Sequence, residues 1–273
     1  MRRSDSHNFI LRGISMYSKE QLARTFERIG LTYDPDARPT PELLSSVQLA
    51  MATRIPYENL DILRGVPLSL DYGDLYDKIV LRHRGGYCFE LNGFLGEVLR
   101  SLGYGVTEYM ARYLRGECEI PMRRHRVVIA EAEDGSRLIC DVGIGQSAFR
   151  LPLPFREGAE SSQFGEVYRV TREPFFGWVI SDFYHGEWRR FYSFTEEVQL
   201  NIDYVMPSFW CEHAPDSPFI TAPMLSIKTE DGRITVDGDV FRIFRGEEVE
   251  ETTLSDEAER RAVYRKYFGL DVI

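Results

Sequence analysis

Cysteine is scarce in this 273-residue chain: there are four, at positions 88, 118, 140 and 211. That is too few for a disulfide scaffold. No two of them form the C-x-x-C pair of a structural zinc site, so a reduced protein without metal is expected. Positive charge is in deficit, with 33 Lys plus Arg against 43 Asp plus Glu and a net charge of −10. Such a field repels polyanions and argues against a nucleic-acid partner. Long apolar runs are missing as well. Arg2 and Arg3 mimic the start of an export signal, but only Phe9-Ile10-Leu11 follows, far short of the ~20 residues of a membrane helix and too short for a signal core. No membrane partner and a cytoplasmic location are therefore expected. Glycine (22) and proline (13) are too few for a disordered chain, and 43% of the residues are hydrophobic. Length over ~150 predicts about two domains with a substantial core.

The periodicity divides the chain. Residues 1–15 carry no helical signal and are expected to be an irregular extension. Ser18 and Gln21 fit a capping box ahead of Leu22, Phe26 and Ile29, with Gly30 as a stop. Thr40 with Pro41 behind it opens a second helix carrying Leu43, Leu44, Val47 and Met51. A third is expected over Asp74–Leu81 and a fourth over 88–102, with Gly103 past its end. From Val106 the period becomes that of strands: Val106–Leu114, His125–Ala130, Arg137–Val142, Gly165–Thr171, Trp178–Tyr184 and Trp188–Phe194. Asp134-Gly135 and His185-Gly186-Glu187 supply turns. Six strands at short spacing predict an antiparallel sheet or barrel. Thr195-Glu196-Glu197 is expected to open a short helix before a proline-punctuated stretch at 207–218. Short strands follow around Asp231-Gly232 and Asp237-Gly238, then a last helix capped by Ser255 and ended by Gly269. The expected class is α+β: helices over 1–105, a β-unit over 106–205 and a mixed α/β unit over 206–273.

Cys88 is the first chemical candidate. It follows Arg84-Gly85-Gly86-Tyr87 and opens an amphipathic helix, where free N–H groups and the positive end of the dipole favour a thiolate. A thiolate nucleophile needs a base, and the base an orienting group. His125 sits near the start of a strand that the Asp134-Gly135 turn pairs with Arg137–Val142, and Asp141 lies at the far end of that second strand. The two lie near one end of that hairpin, so Nδ1 of His125 is expected on the Asp141 carboxylate, with Nε2 turned to Cys88. Gly143-Ile144-Gly145-Gln146-Ser147-Ala148 matches the dinucleotide pattern G-x-G-x-x-A, but Pro152 and Pro154 follow and no βαβ unit surrounds it. It reads as a glycine loop whose bare backbone approaches a phosphate. Arg112, Arg115, Arg123, Arg124 and Arg126 concentrate positive charge near His125 and are weak candidates for attracting a phosphorylated cofactor.

The run Arg84-Gly85-Gly86-Tyr87-Cys88-Phe89-Glu90-Leu91-Asn92 resembles the R-G-G-x-C-x-E-x-N hallmark of the arylamine N-acetyltransferases. The resemblance extends to Arg28-Ile29-Gly30, Ile55-Pro56-Tyr57-Glu58-Asn59-Leu60, His125, Asp141-Val142-Gly143-Ile144-Gly145, Asp203 and Pro215-Asp216-Ser217-Pro218-Phe219. It implies an N-terminal helical bundle, a central β-barrel and an α/β lid around a cysteine-protease-like Cys-His-Asp core. It also implies acetyl transfer from acetyl-CoA to an aromatic amine or hydrazine through an acetyl-cysteine. Residue by residue, Cys88 is the nucleophile, His125 the base and then acid, and Asp141 the orienting group. Gly143 and Gly145 meet the CoA pyrophosphate, while Tyr57, Ile144 and Phe219 line the acceptor pocket. No metal is implied. The chain departs from the family pattern at Ile144 (commonly aromatic), Tyr57 (commonly Phe), Arg124 (commonly small) and Ser208 (commonly Asn).

Other readings keep the same three residues. An amide synthase or acyltransferase with a different acyl group or acceptor is one, and a thiol hydrolase another. A catalytically silent scaffold predicts no acyl-enzyme and leaves the three reactive residues without a purpose.

Overall fold

The computed structural model describes residues 17–271; the 1–15 extension lies outside them. Helix α1 (Lys19–Arg28) starts on the expected capping box, Ser18 accepting from the Gln21 N–H while the Gln21 side chain accepts from Ser18. Helix α2 (Pro41–Arg54) is capped by Thr40 with Pro41 at its first position. A two-residue strand β1 (Tyr57–Glu58) and a single turn α3 (Leu60–Leu63) lead to α4 (Tyr72–Tyr76). The single helix expected over Asp74–Leu81 is instead split. The α-turn begins two residues earlier, at an Asp71 cap, and passes at Asp77 into a π-helical turn ending at Leu81. Such wide turns bulge one residue outward, and this one carries the buried Lys78. Helix α5 (Cys88–Ser101) follows as expected.

One sheet of eight antiparallel strands comes next, nearly closed into a barrel. Its members are β2 (Gly105–Tyr113), β3 (His125–Glu131), β4 (Arg137–Cys140), β5 (Leu153–Pro154), β6 (Glu160–Gln163), β7 (Glu166–Glu173), β8 (Gly177–Tyr184) and β9 (Glu187–Val198). The order is β5-β4-β3-β2-β9-β8-β7-β6. Inward residues such as Ala111, Val127, Ile139, Phe149, Ile180, Phe191 and Phe194 fill its interior, each large one contributing ~1.5–3 kcal/mol on burial. The outward faces of β2, β3 and β4 (Val106, Val128, Ala130, Cys140) pack against Leu44, Val47, Leu91, Leu95 and Val98 of α2 and α5. The outer face of the barrel and the helices thus share one core, distinct from the barrel interior.

No helix opens at Thr195. Strand β9 runs on through Glu196 and Glu197, Val198 pairing with Tyr109 and the Gln199 N–H donating to the Glu108 carbonyl. The pairing of Val198 with β2, across a register shift that leaves Glu196 and Glu197 unpaired, carries the two glutamates in extended form against their helical preference. The proline-punctuated stretch is in turn partly helical, α6 (Val205–His213), with Pro207 in the first turn where its missing N–H costs nothing. A second antiparallel sheet follows: β10 (Met224–Lys228), β11 (Gly232–Asp237), β12 (Val240–Arg245) and β13 (Glu248–Thr253). Its first member is β1, Tyr57 pairing with Ser226 and Glu58 with Leu225. Helix α7 (Glu257–Phe268) covers it through Tyr264 and Phe268 and ends on left-handed Gly269. Its cap is Asp256, not Ser255: the Asp256 carboxylate accepts from the Glu259 N–H, and Ser255 bonds the Glu259 side chain instead.

Barrel and second sheet meet at a buried ionic cluster. Lys228 Nζ lies 2.8 Å from Glu166 Oε1, and Arg150 Nη1 lies 2.6 Å from Glu166 Oε2. Burial holds the Lys228 ammonium down at about 8, Glu166 opposing. Between that value and its unfolded value of about 10.4 the unfolded chain binds more protons, so this group's contribution rises as pH rises. The stability difference between the native protein and Lys228→Met, measured by urea unfolding, is expected to shift toward the native protein by up to ~3 kcal/mol from pH 7.5 to 10.5. A flat difference would disprove the buried charge.

Candidate active site

The hallmark nonapeptide is anchored by buried ion pairs ahead of Cys88. Arg84 ties the approach to α5 by ion pairs to Glu58 (2.6 Å) and Asp61 (2.9 Å), all three buried. Gly85 admits no side chain, since a Cβ there would stand 1.9 Å from the Pro56 carbonyl oxygen. Glu90 accepts from the Tyr87 N–H at 3.1 Å and pairs with Lys78 at 2.7 Å, and Lys78 also reaches Asp61 at 2.8 Å. Burial raises the Glu90 carboxyl above its ordinary range, with Lys78 opposing. Three carboxylates and two cations thus lock the loop that delivers Cys88.

Cys88 is the first residue of α5 and His125 the first of β3, both buried, and both line one cavity of about 380 Å³. Behind them Asp141 is fully buried. His125 Nε2 lies 2.6 Å from Asp141 Oδ2. An ionised carboxylate only accepts, so Nε2 carries the proton of this bond. The ring is therefore turned the other way from the sequence expectation, which had Nδ1 on the aspartate. The reason is the register: Val128 pairs with Cys140, which puts Val127, not His125, opposite Asp141, so the imidazole reaches its partner with its far nitrogen.

Asn92 fixes the aspartate. Its Nδ2 donates to Asp141 Oδ1 (2.8 Å) and to the Arg126 carbonyl (2.6 Å), and its Oδ1 accepts from the Val142 N–H (2.9 Å). The Gly143 N–H adds a bond to Asp141 Oδ1 at 2.9 Å. Sequence reasoning counted Asn92 as a family mark without assigning it a task. Its place on α5 four residues after Cys88, hence one turn along the same face, was the available signal. Tyr192, whose ring centroid lies 5.4 Å from that of His125, was missed because it comes from β9, remote in sequence.

The glycine loop closes the cavity. Gly143 sits so close that a Cβ would be 2.8 Å from the Cys88 Cα. Gly145 (φ +66°) opens a 3₁₀ turn over Gly145–Ser147, not an α-helix. Gly143, Ile144 and Gly145 all line the cavity, as do Tyr57 and Phe219. Ser226, Thr235 and Asp237 of the second sheet complete it. They were invisible in the sequence, where they are ordinary strand residues.

Electrostatics correct two expectations. Burial pushes the Cys88 thiol up, with Cys211 and Asp141 adding to it, while the Phe89 and Arg126 backbones pull it down. The helix start alone does not make a thiolate in a site this dry. The arginine-rich stretch, second, is already paired: Arg115 with Asp182, Arg123 with Glu197, Arg124 with Glu117, and the fully buried Arg126 with Glu108. Arg112 donates to the Pro121 carbonyl. Most of this charge is internal structure and not a phosphate receptor.

A helix-start thiol in a cavity that also holds a histidine bound to a buried aspartate is the equipment of enzymes that pass acyl groups through a thioester. Comparison with known proteins agrees. The N-acetyltransferase family profile matches residues 41–273. The arylamine N-acetyltransferase / N-hydroxyarylamine O-acetyltransferase of Salmonella typhimurium is 34% identical over 86% of this chain and 84% of its own. The structure of the Salmonella typhimurium arylamine N-acetyltransferase superposes with a TM-score of 0.87 at 30% identity, covering 94% of this chain and 93% of that one. That of the Mycobacterium marinum enzyme in complex with CoA gives 0.85 at 30% identity, over 92% and 93%. The chain belongs to the arylamine N-acetyltransferase family.

Proposed function

We propose that this protein transfers the acetyl group of acetyl-CoA to the nitrogen of arylamines and arylhydrazines, and to the oxygen of N-hydroxyarylamines, by way of an acetyl-Cys88 intermediate. The observation that carries the reading is the cavity shared by Cys88 and His125, with His125 Nε2 held on Asp141 at 2.6 Å. With Nε2 occupied, Nδ1 is the nitrogen that takes the thiol proton. The raised thiol needs that imidazolium as its counter-ion, so thiolate and imidazolium form together. The thiolate attacks the thioester carbonyl, and CoA leaves with the proton returned by His125. A neutral aromatic amine then attacks the acetyl-cysteine, His125 accepts the amine proton, and Cys88 is released. Donor product departs before the acceptor reacts, giving ping-pong kinetics.

Gly143 and Gly145 lie where a side chain would block a cofactor arm, and Tyr57, Ile144 and Phe219 offer an aromatic acceptor an apolar wall. Residues 206–273 act as the lid that keeps water from the thioester. Among the described residues no helix is long and apolar enough to cross a membrane.

The test is the intact mass of the protein after brief exposure to acetyl-CoA alone. One acetyl group is expected, removed on addition of 4-methylaniline with release of the anilide. A folded protein that gains no adduct would sink the proposal. An adduct lost to water as fast as to amine would favour a thiol hydrolase.

A further inference from the structure

Of the five arginines between positions 112 and 126, Arg112 alone has no carboxylate partner among the described residues. Its Nη1 donates to the Pro121 carbonyl at 2.5 Å, and the remaining donors of its planar fork are unused. Burial and the charge of Arg123 both hold this guanidinium below its ordinary value. The two cations line one small cavity of about 70 Å³, which shares no residue with the cavity of Cys88. Arg112 faces Ser193 across β2 and β9. Ala111 and Tyr113 on one strand, and Tyr192 and Phe194 on the other, belong to the barrel interior. The alternation of a strand therefore turns Arg112 and Ser193 outward together. Ser193 is 1% exposed, lines this cavity, and its Oγ has no hydrogen-bond partner among the described residues. A buried hydroxyl in that state is costly and calls for a partner. Thr195 lines the same cavity, its Oγ1 accepting from Arg123 Nη2 at 3.2 Å, while Arg123 Nη1 pairs with Glu197 at 2.7 Å. Phe175 and Phe176, in the turn between β7 and β8, supply an apolar rim.

We propose that this cavity on the outer wall of the barrel binds a tetrahedral oxyanion of the phosphate type, held by Arg112, Arg123, Ser193 and Thr195. The ion accepts from the free edge of Arg112 and from the Ser193 hydroxyl, and Arg123 and Thr195 bound its other side. Charge-assisted bonds of this kind are short and strong, and an arginine fork matches phosphate geometry. The space suits a few waters or one such ion, and lies far below the ~300 Å³ at which sites for organic ligands begin. Glu197, 68% exposed, offsets only one of the two cations, so one positive charge is left for the ligand to balance. Free phosphate and the tip of a phosphomonoester share the required chemistry.

The experiment is calorimetric titration of the full chain with inorganic phosphate near neutral pH, ionic strength being held constant with sodium chloride. Saturable binding that chloride does not reproduce is expected; heat that follows ionic strength alone would overturn the proposal. Arg112→Gln is expected to weaken binding ~10-fold or more, the loss of a charge-assisted hydrogen bond. Ser193→Ala should weaken it ~5-fold or more. That variant loses no hydrogen bond of the ion-free protein, so its Tm without phosphate should match or exceed the native one, and it carries the test if Arg112→Gln fails to fold. Affinity within twofold of native in Arg112→Gln, or in Ser193→Ala where that variant carries the test, would overturn the assignment. Phosphate held at the glycine loop of the Cys88 cavity would give that result, because neither residue lines it. Methyl phosphate separates the two sources: affinity equal to that of phosphate assigns a phosphomonoester, and weaker binding assigns the free ion, the site standing in both cases.

Discussion

Cys88→Ala is expected to abolish acetyl transfer, a fall of at least ~10⁴-fold in kcat/KM, and to leave no acetylated protein on incubation with acetyl-CoA. The size of the effect follows from the other cysteines. Cys140 is buried on β4 where its thiol, pushed up by burial, faces the helical core, and Cys118 lies exposed. Cys211 is buried behind the site with its thiol raised to about 12. Of the four, Cys88 is the one that lines the cavity. Removing its sulfur deletes no ion pair and no strong hydrogen bond, so the fold should lose no more than ~1 kcal/mol. Turnover near the native rate in folded Cys88→Ala would refute the covalent route.

Asp141→Asn should cost ~10³–10⁴-fold in turnover with the fold intact, the scale at which replacing such an aspartate acts. The geometry dictates how. Oδ1 of Asp141 accepts from Asn92 Nδ2 and from the Gly143 N–H, so an asparagine must place its carbonyl oxygen there. Its amide group then faces His125 Nε2, which is forced to accept. The only proton of the neutral imidazole moves to Nδ1, the nitrogen that should take the thiol proton. The base is disabled by tautomer, not by displacement. Alkylation of Cys88 by iodoacetamide at pH 7 reads thiolate formation directly and should slow by ~10-fold or more. An unchanged alkylation rate would show that the aspartate is dispensable for activating the sulfur.

How far the sequence went depended on the range of the forces involved. The starts of α1 and α2 were legible because Ser18, Gln21, Thr40 and Pro41 act within one turn. Cys88, His125 and Asp141 could be singled out as candidates because a cysteine at a helix start and two residues near one end of a hairpin are local facts. The failures are tertiary. Glu196 and Glu197 favour a helix in isolation, and they are extended because the chain runs on to pair Val198 with Tyr109 of β2, a contact about ninety residues away in sequence. The orientation of the His125 ring depends on a strand register that a count from the turn cannot supply. Pairing of the arginines was hidden for the same reason: Glu108, Glu117, Asp182 and Glu197 are spread across ninety residues, and Arg126 meets Glu108 only after β2 and β3 have aligned. Local chemistry points to candidate reactive atoms, whereas their orientation and protonation belong to the folded chain.

Tyr57 and Glu58, two residues long as a strand, hydrogen-bond on one side to Gly86 in the loop ahead of Cys88 and on the other to Ser226 and Leu225 of the second sheet. They are a splice between the segment that carries the sulfur and the last quarter of the chain. The second sheet, joined in this way, cannot swing clear as a rigid flap, since parting it would unzip the backbone next to Cys88. Substrates must come and go through the mouth of a standing vault. The same stitch makes the chain indivisible: a fragment cut before Met224 would expose a raw backbone edge at Tyr57, slacken the turn that aims Cys88, and present that edge to any passing strand.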